Sequence, residues 1–279
     1  MAGPVCERDL APSGIRAPDV GAPIRHLAPV VANRCVAEGT RWIELDSPAI
    51  AAASRPGQFL MLGYGLDSPD LFLLPRPFSV GWCSERGRVG ILLRAFGPGT
   101  RRLATLRPGD EALLLGPLGR PFRLQPSRPV VCVAGGVGLA PFIFLLSEAS
   151  RAGRAATLLY GERSAELVFD TDLLASLTGS SARIWTEDGS AGRRGRVTDG
   201  IDLTGAPLLL ACGPTPMLRA VAGLALEREL PCQVAVEEYM GCGIGTCQGC
   251  VVRGADGRWI KSCVEGPVFE VRELAWPSP

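Results

Sequence analysis

The chain has 279 residues, 47% of them hydrophobic and 20% charged, with Lys+Arg 29 against Asp+Glu 28 and a formal net charge of +1. That length exceeds what one core comfortably organises, so two or more compact domains are expected, and the balanced charge leaves no overall field that favours nucleic acid or an anionic membrane. His26 is the single histidine, which argues against Ser–His–Asp or Cys–His catalysis and against histidine-rich zinc sites.

Residues 1–27 carry neither an apolar h-region nor a basic amphipathic pattern and are expected to form a disordered tail without a signal or transit peptide. Ten cysteines without an export signal point to a reducing, cytoplasmic setting, where thiols bind metal more often than they staple the chain. Over 28–126 the runs "RWIELDS", "GQFLMLGY", "RPFSVGWC", "RVGILLRAF" and "DEALLLGPLG" are β-type, separated by Gly and Pro, with no long amphipathic helix. They predict an antiparallel β-barrel domain. Arg76 of "RPFS" could pair bidentately with a phosphate, Ser79 could hydrogen-bond a ring, and Gly99 with Thr100 of "FGPGT" could cradle a second phosphate. Taken alone, each of these stretches reads first as a turn.

From 127 the texture changes to strands alternating with helices: "PVVCVAGG", "LAPFIFLLSEASRAG", "AATLLYGERS", "SAELVFDTDLLASL", "ARIWTEDGS", "PLLLACGP", "TPMLRAVAGLALEREL" and "CQVAVEE". That alternation predicts a parallel-sheet α/β domain over 127–235. Pro129 to Ser147 is uncharged for about the length of a bilayer span. Its glycines and Pro141 fit a buried strand, a tight loop and a helix start instead, so no membrane span is expected. The loop "AGGVGLAP" puts bare amides where a pyrophosphate could bind, although Pro141 takes the place of the third glycine of the dinucleotide fingerprint. In "YGERS", Arg163 and Ser164 stand where a 2′-phosphate could be recognised, whereas Glu162 could favour a free ribose hydroxyl.

The final segment, 236–279, opens on "EEYMGCGIGTCQGC". Cys242, Cys247 and Cys250 are spaced C-x4-C-x2-C with Cys263 further on, the spacing of plant-type [2Fe–2S] ligation. Sulfur ligands on one short loop need positive φ at several positions, which Gly241, Gly243, Gly245 and Gly249 permit. Zinc is the competing reading, but structural zinc sites usually pair short Cys-x2–4-Cys hairpins at both ends. Cys6, Cys35, Cys83, Cys132, Cys212 and Cys232 are scattered and read as small apolar side chains.

In order, "RPFS", "GPLG", "GGVGLAP", "YGERS", "EDGSAGRRGRVTD", "ACGPTPML" and the cysteine loop resemble the ferredoxin reductase superfamily. More narrowly, Glu237, Met240, Cys242, Gly243, Gly245 and Cys247 resemble the electron transfer subunits of NAD-dependent dihydroorotate dehydrogenases. The resemblance covers about 28–274 and implies a multi-domain β plus α/β oxidoreductase: an antiparallel β-barrel flavin domain, a parallel-sheet nucleotide-binding domain and a small C-terminal [2Fe–2S] domain. By resemblance, Arg76, Pro77, Phe78, Ser79, Leu93, Arg94, Gly99 and Thr100 would hold FAD. Gly135, Gly136 and Gly138 would receive NAD(H), with Cys212, Gly213 and Pro214 flanking the nicotinamide, and Cys242, Cys247, Cys250 and Cys263 would ligate the cluster. No side chain need act as acid or base. The implied partner is an FMN-containing dihydroorotate dehydrogenase catalytic subunit of pyrimidine biosynthesis, two copies of each chain assembling together. The alternatives are a reductase subunit serving a hydrogenase, a sulfide dehydrogenase or a ferredoxin-NADP transhydrogenase, and, outside enzymes, a redox-sensing cluster protein.

Overall fold

The computed structural model describes residues 22–64, 74–125 and 127–276. Among them the first seven strands are β1 (Ile24–Ala37), β2 (Thr40–Asp46), β3 (Phe59–Gly63), β4 (Arg76–Ser79), β5 (Trp82–Cys83), β6 (Arg88–Arg94) and β7 (Glu111–Leu118), with α1 (Pro48–Ala53) and α2 (Pro98–Leu103) set in their connections. They form one antiparallel sheet in the order β4-β3-β7-β1-β2-β6-β5. The sheet curls because β4 and β5 are two pieces of one run that changes partner: Ser79 faces Phe59 of β3, Val80 N donates to Gln58 O, and Gly81 N donates to Gly90 O of β6. Curling in this way shortens the unpaired edges that a flat open sheet would expose.

Residues 24–27, expected in the tail, are instead the start of β1, the longest strand here at 14 residues. Residues 1–21 of the expected tail lie outside the described residues. The strand escapes a sequence reading because its burial does not alternate cleanly and Pro29 sits within it. Pro29 stands where β1 passes from pairing with β7 to pairing with β2, a position where a missing N–H disrupts least. His26 is structural in its contacts: its Nε2 lies 2.8 Å from Ser47 Oγ.

The second sheet is built from β8 (Val130–Gly135), β9 (Ala156–Glu162), β10 (Ala182–Thr186), β11 (Arg193–Arg194), β12 (Leu208–Cys212) and β13 (Cys232–Ala235), with α3 (Ala140–Arg151), α4 (Thr171–Thr178) and α5 (Thr215–Glu227) between strands. Every residue of β8 and of β12 is buried, as expected for parallel strands covered on both faces. The order β11-β10-β9-β8-β12-β13 places β9 and β12 on opposite sides of β8. The order of strand addition reverses there while the strands stay parallel, and the crevice outside the carboxyl ends of β8 and β12 is the ligand position of such sheets. The uncharged run from Pro129 to Ser147 is β8, a 3-10 turn and the first two turns of α3. Among the described residues no helix is long and apolar enough to cross a membrane.

The two halves share one apolar core. Val36, Trp42 and Leu92 of the barrel are buried with Phe142, Tyr160 and Phe169 of the α/β half, and the Trp42 and Phe169 rings meet edge to face at 6.0 Å. After β13 the chain forms the cysteine loop, the hairpin β14 (Val251–Arg253) and β15 (Trp259–Lys261), and α6 (Ser262–Glu265). It then returns as β16 (Val268–Glu270), which pairs antiparallel with β13. Residues 268–270, expected in a separate cluster unit, thus belong to the nucleotide-type sheet, and the cysteine loop is anchored at both ends.

Candidate functional site

At the barrel mouth, Arg76 to Ser79 form β4, each half-buried. The Arg76 guanidinium lies over Gly99: a Cβ there would sit 3.0 Å from its Nη2 and 3.2 Å from its Nε. The Thr100 hydroxyl is committed to its own loop, accepting from Gly97 N at 3.0 Å and Phe96 N at 3.2 Å and donating to Gly97 O at 3.1 Å. What this loop can offer a ligand is therefore backbone, with one guanidinium facing it, and a cation above a side-chain-free loop fits a diphosphate. Leu93 is buried in the barrel core.

At the crevice, Gly135 ends β8 and Gly136–Leu139 make the 3-10 turn that leads into α3. Gly136 has φ 58°, a conformation open to glycine at little cost. A Cβ on Gly138 would overlap the Cys212 carbonyl, and one on Gly135 would lie 2.8 Å from Pro214 Cδ. The fold therefore brings together all six residues assigned to the nicotinamide nucleotide: Gly135, Gly136 and Gly138 from one loop, and Cys212, Gly213 and Pro214 from the other. A surface of bare backbone at a strand-to-helix turn fits a pyrophosphate. The Cys212 thiol is buried, and burial, then the nearby charge of Glu237, holds its pKa well above the ordinary value.

Sequence reasoning missed one contact between these two places. Arg94, at the end of β6, reaches across to Glu162, at the end of β9, with Nη2 donating to Oε1 at 2.6 Å. The Tyr160 hydroxyl also donates to Glu162 Oε1 at 3.1 Å, and its own proton is held tightly because burial, then the Glu162 charge, raises its pKa. Glu162 therefore does not stand free for a ribose hydroxyl, as the sequence suggested. Its strand-end position was legible, but its partner, 68 residues away, left no local signal.

The four cysteines stand as two pairs. Cys247 N donates to Cys242 Sγ at 3.4 Å, and burial raises the Cys242 thiol less than the amides of Cys247, Ile244 and Thr246 lower it, taking it down to about 7. Cys263 is pushed up to about 12 by burial and then by the Cys250 side chain beside it. Among the described residues no group of three His, Cys, Asp or Glu is set to hold a single ion. Donors divided two and two, with amides aimed at sulfur, fit two irons joined by sulfide better than one tetrahedral ion. Cys250 and Cys263 are buried with Phe59, Met61 and Leu118 of the barrel, whereas Cys247 is exposed beside Ile244, itself 50% exposed.

Comparison with known proteins agrees with this architecture. Residues 237–275 match the iron-sulfur cluster binding domain of dihydroorotate dehydrogenase B. The chain is 34% identical over 258 residues to the dihydroorotate dehydrogenase B (NAD(+)) electron transfer subunit of Desulforamulus reducens, covering 89% of this chain and 97% of that one. It is 38% identical over 252 residues to the probable counterpart in Methanopyrus kandleri, covering 88% and 90%. Among solved structures, an NADH-dependent reduced ferredoxin-NADP oxidoreductase superposes with TM-score 0.78 at 28% identity, covering 90% of each chain. The ferredoxin reductase of carbazole 1,9a-dioxygenase superposes at 0.64 and 21% identity, over 75% of this chain and 67% of that one, and shares the fold. With barrel, crevice and paired thiols in the same order as in relatives matched nearly end to end, the chain belongs to the family of electron transfer subunits of dihydroorotate dehydrogenase B (NAD(+)).

Proposed function

We propose that this chain passes electrons between NAD(H) and the FMN-bearing catalytic subunit of a dihydroorotate dehydrogenase, with FAD and a [2Fe–2S] cluster as its own cofactors. Bound flavin would supply the exchange between paired and single electrons, and the cluster a one-electron carrier. Arg76 to Ser79, Arg94, Gly99 and Thr100 would hold FAD, whereas Leu93, expected beside them, is fully buried in the barrel core and supports the site from beneath. Gly135, Gly136, Gly138 and Cys212 to Pro214 would receive the nicotinamide nucleotide, and Cys242, Cys247, Cys250 and Cys263 would hold the cluster. The residues of the chain position and insulate: Arg76 balances phosphate charge, the crevice glycines admit the nucleotide to backbone contact, and Phe59, Met61 and Leu118 keep water from one thiol pair.

The observation that carries this reading is the seating of the cysteine loop on the barrel. A Cβ on Gly243 would come within 2.7 Å of Met61 Cγ, and Met61 lies on β3 opposite Pro77 of β4. The cysteine loop thus lies against the strand beside β4, which supports a route from the barrel to the thiols, with the pair Cys242 and Cys247 turned toward solvent, where a partner can approach. A division into a flavin domain near 28–126, a nucleotide domain near 127–235 and a cluster segment near 236–279, a cytoplasmic location and a complex of two copies of each subunit belong to the same reading.

The test is reconstitution. Protein purified without oxygen and mixed with an FMN-bearing catalytic subunit should reduce NAD+ in the presence of dihydroorotate; no NAD+ reduction from a mixture whose separate halves are fully loaded would refute the proposal. A second reading, service to a ferredoxin-NADP oxidoreductase, is favoured by the 28% identical structure that superposes over 90% of each chain. Dihydroorotate-independent reduction of ferredoxin or NADP+ with a different partner would mark it.

A further inference from the structure

The apolar core shared by the two halves holds them by contact that has no preferred direction, so hydrogen bonds and ion pairs across the boundary supply its directional constraints. Several hydrogen bonds cross that boundary, among them Glu38 N to Glu166 O and Asp170 N to Val36 O, each 2.8 Å, and Arg151 Nη2 to Cys83 O at 3.3 Å; one chain of side chains crosses it beside the crevice loop. Thr40 Oγ1 donates to Glu38 O at 3.1 Å and accepts from Arg94 Nε at 3.1 Å. Arg94 Nη2 donates to Glu162 Oε1 at 2.6 Å, the same oxygen accepts from the Tyr160 hydroxyl at 3.1 Å, and that hydroxyl accepts from Phe169 N at 3.3 Å. The Glu162 side chain is 4% exposed and that of Arg94 25%. A carboxylate so buried must stay paired, because an uncompensated charge there is costly. The pair also touches the crevice loop: a Cβ on Gly136 would lie 3.6 Å from Arg94 Nη1 and 3.9 Å from Glu162 Oε1. On the barrel side, the chain runs from Arg94 directly into the loop 96–100 that Arg76 covers.

We propose that the Arg94–Glu162 pair is a strut fixing the distance between the barrel mouth and the nucleotide crevice, which makes Glu162 a positioning residue for hydride transfer rather than a reader of the nucleotide's ribose. The inference rests on the reading of the barrel as the flavin site and the crevice as the NAD(H) site. Hydride transfer needs the reacting atoms about 3–3.5 Å apart, and a misplacement of about 1 Å costs on the order of 100-fold in rate. A directional ion pair set beside the crevice loop holds that gap locally, where non-directional apolar contact alone does not. Glu162 lies at the end of the second strand of the nucleotide-type sheet, the place from which an acidic residue usually reads the ribose; here its carboxylate is turned inward to Arg94.

The experiment is anaerobic stopped-flow reduction of the flavin by NADH and by NADPH in full-length parent, Glu162→Gln and Tyr160→Phe proteins of matched FAD and iron content. Glu162→Gln should bleach about tenfold more slowly, or worse, at saturating NADH, with a weaker flavin–nicotinamide charge-transfer band. Its NADH affinity and its preference for NADH over NADPH should stay within about twofold of the parent. Tyr160→Phe, which keeps both charges but removes the second donor that orients the Glu162 carboxylate toward Arg94, should slow in the same pattern but less, and it decides the matter if Glu162→Gln does not accumulate. Bleaching as fast as the parent in the decisive variant overturns the strut; a loss confined to NADH affinity, or a swing toward NADPH, overturns it in favour of ribose recognition. A parent that neither nucleotide bleaches refutes the NAD(H) reading itself and the strut with it, whereas a bleaching parent and an unaffected variant sink the strut alone.

Discussion

Replacing Gly138 with Ala probes the crevice with a single methyl group. The added Cβ would overlap the Cys212 carbonyl and sit 2.6 Å from Gly213 N, about 0.8 Å inside van der Waals contact. Both obstacles are backbone, so neither can rotate away, and the loop 135–139 must withdraw from the end of β12 by about that distance. Overpacking of this kind costs about 1–3 kcal/mol, which in a chain of this size lowers Tm by roughly 2–4 °C per kcal/mol. The functional loss should be larger than the stability loss suggests, because a shift approaching 1 Å between reacting groups removes up to about 100-fold in rate. Gly223→Ala is the control: Gly223 lies inside α5, its Cβ would meet nothing within 4 Å, and the change should stabilise by roughly 0.4–1 kcal/mol with NADH oxidation unaltered. Differential scanning calorimetry with anaerobic flavin bleaching by NADH measures both quantities. If Gly138→Ala kept the parent's Tm and bleaching rate, the close approach of the two loops, and the nucleotide site built on it, would be wrong.

Three further outcomes follow from the chemistry of the site. Cys263→Ser, which removes one member of the barrel-side thiol pair, should lower iron and acid-labile sulfide well below the parent while FAD content is retained, whereas Cys35→Ser, at an exposed position, should leave all three unchanged. Iodoacetamide at mildly alkaline pH should modify Cys35 in the loaded protein and spare Cys83 and Cys232, which burial pushes up to about 12, along with the deeply buried Cys132 and Cys212. Peptide mapping reads this directly, and prompt labelling at Cys132 or Cys212 would contradict the packing. Burial, then the charge of Glu273, raises the pKa of Glu270 on β16. A raised acid favours folding fully below its unfolded value of about 4.3 and loses that contribution as pH climbs through the folded value. Glu270→Gln should therefore raise Tm above that window and flatten the Tm–pH slope within it; an unchanged slope would refute the assignment.

Local chemistry made much of this molecule legible. The alternating run "RVGILLRAF" became β6, the uncharged run "PVVCVAGG" became the doubly covered β8, and the C-x4-C-x2-C spacing with Cys263 became two thiol pairs. What stayed hidden depends on partners remote in sequence. β1 changes partner after Pro29 and its register with β2 shifts twice, so its residues follow no single period. Glu162 looked like a ribose ligand because its place at a strand end is local information, while Arg94, 68 residues away, is not. The "GPLG" motif was legible as the end of a β-type run, but not its contact: in the fold Arg120 N, just after it, donates to Gly266 O at 2.5 Å, tying the barrel to the cysteine segment. The return of 268–270 to the nucleotide-type sheet is likewise invisible in a three-residue strand.

The most direct test of the account is an anaerobic NADH titration of the purified chain, followed by optical absorbance and low-temperature EPR on the same samples, with metal analysis beforehand. The account predicts about two irons and two acid-labile sulfides per chain, flavin bleaching on addition of NADH, and a reduced-cluster EPR signal that grows with it. Zinc at the four thiols, or a flavin that is reduced while the cluster stays EPR-silent however much NADH is added, would contradict it.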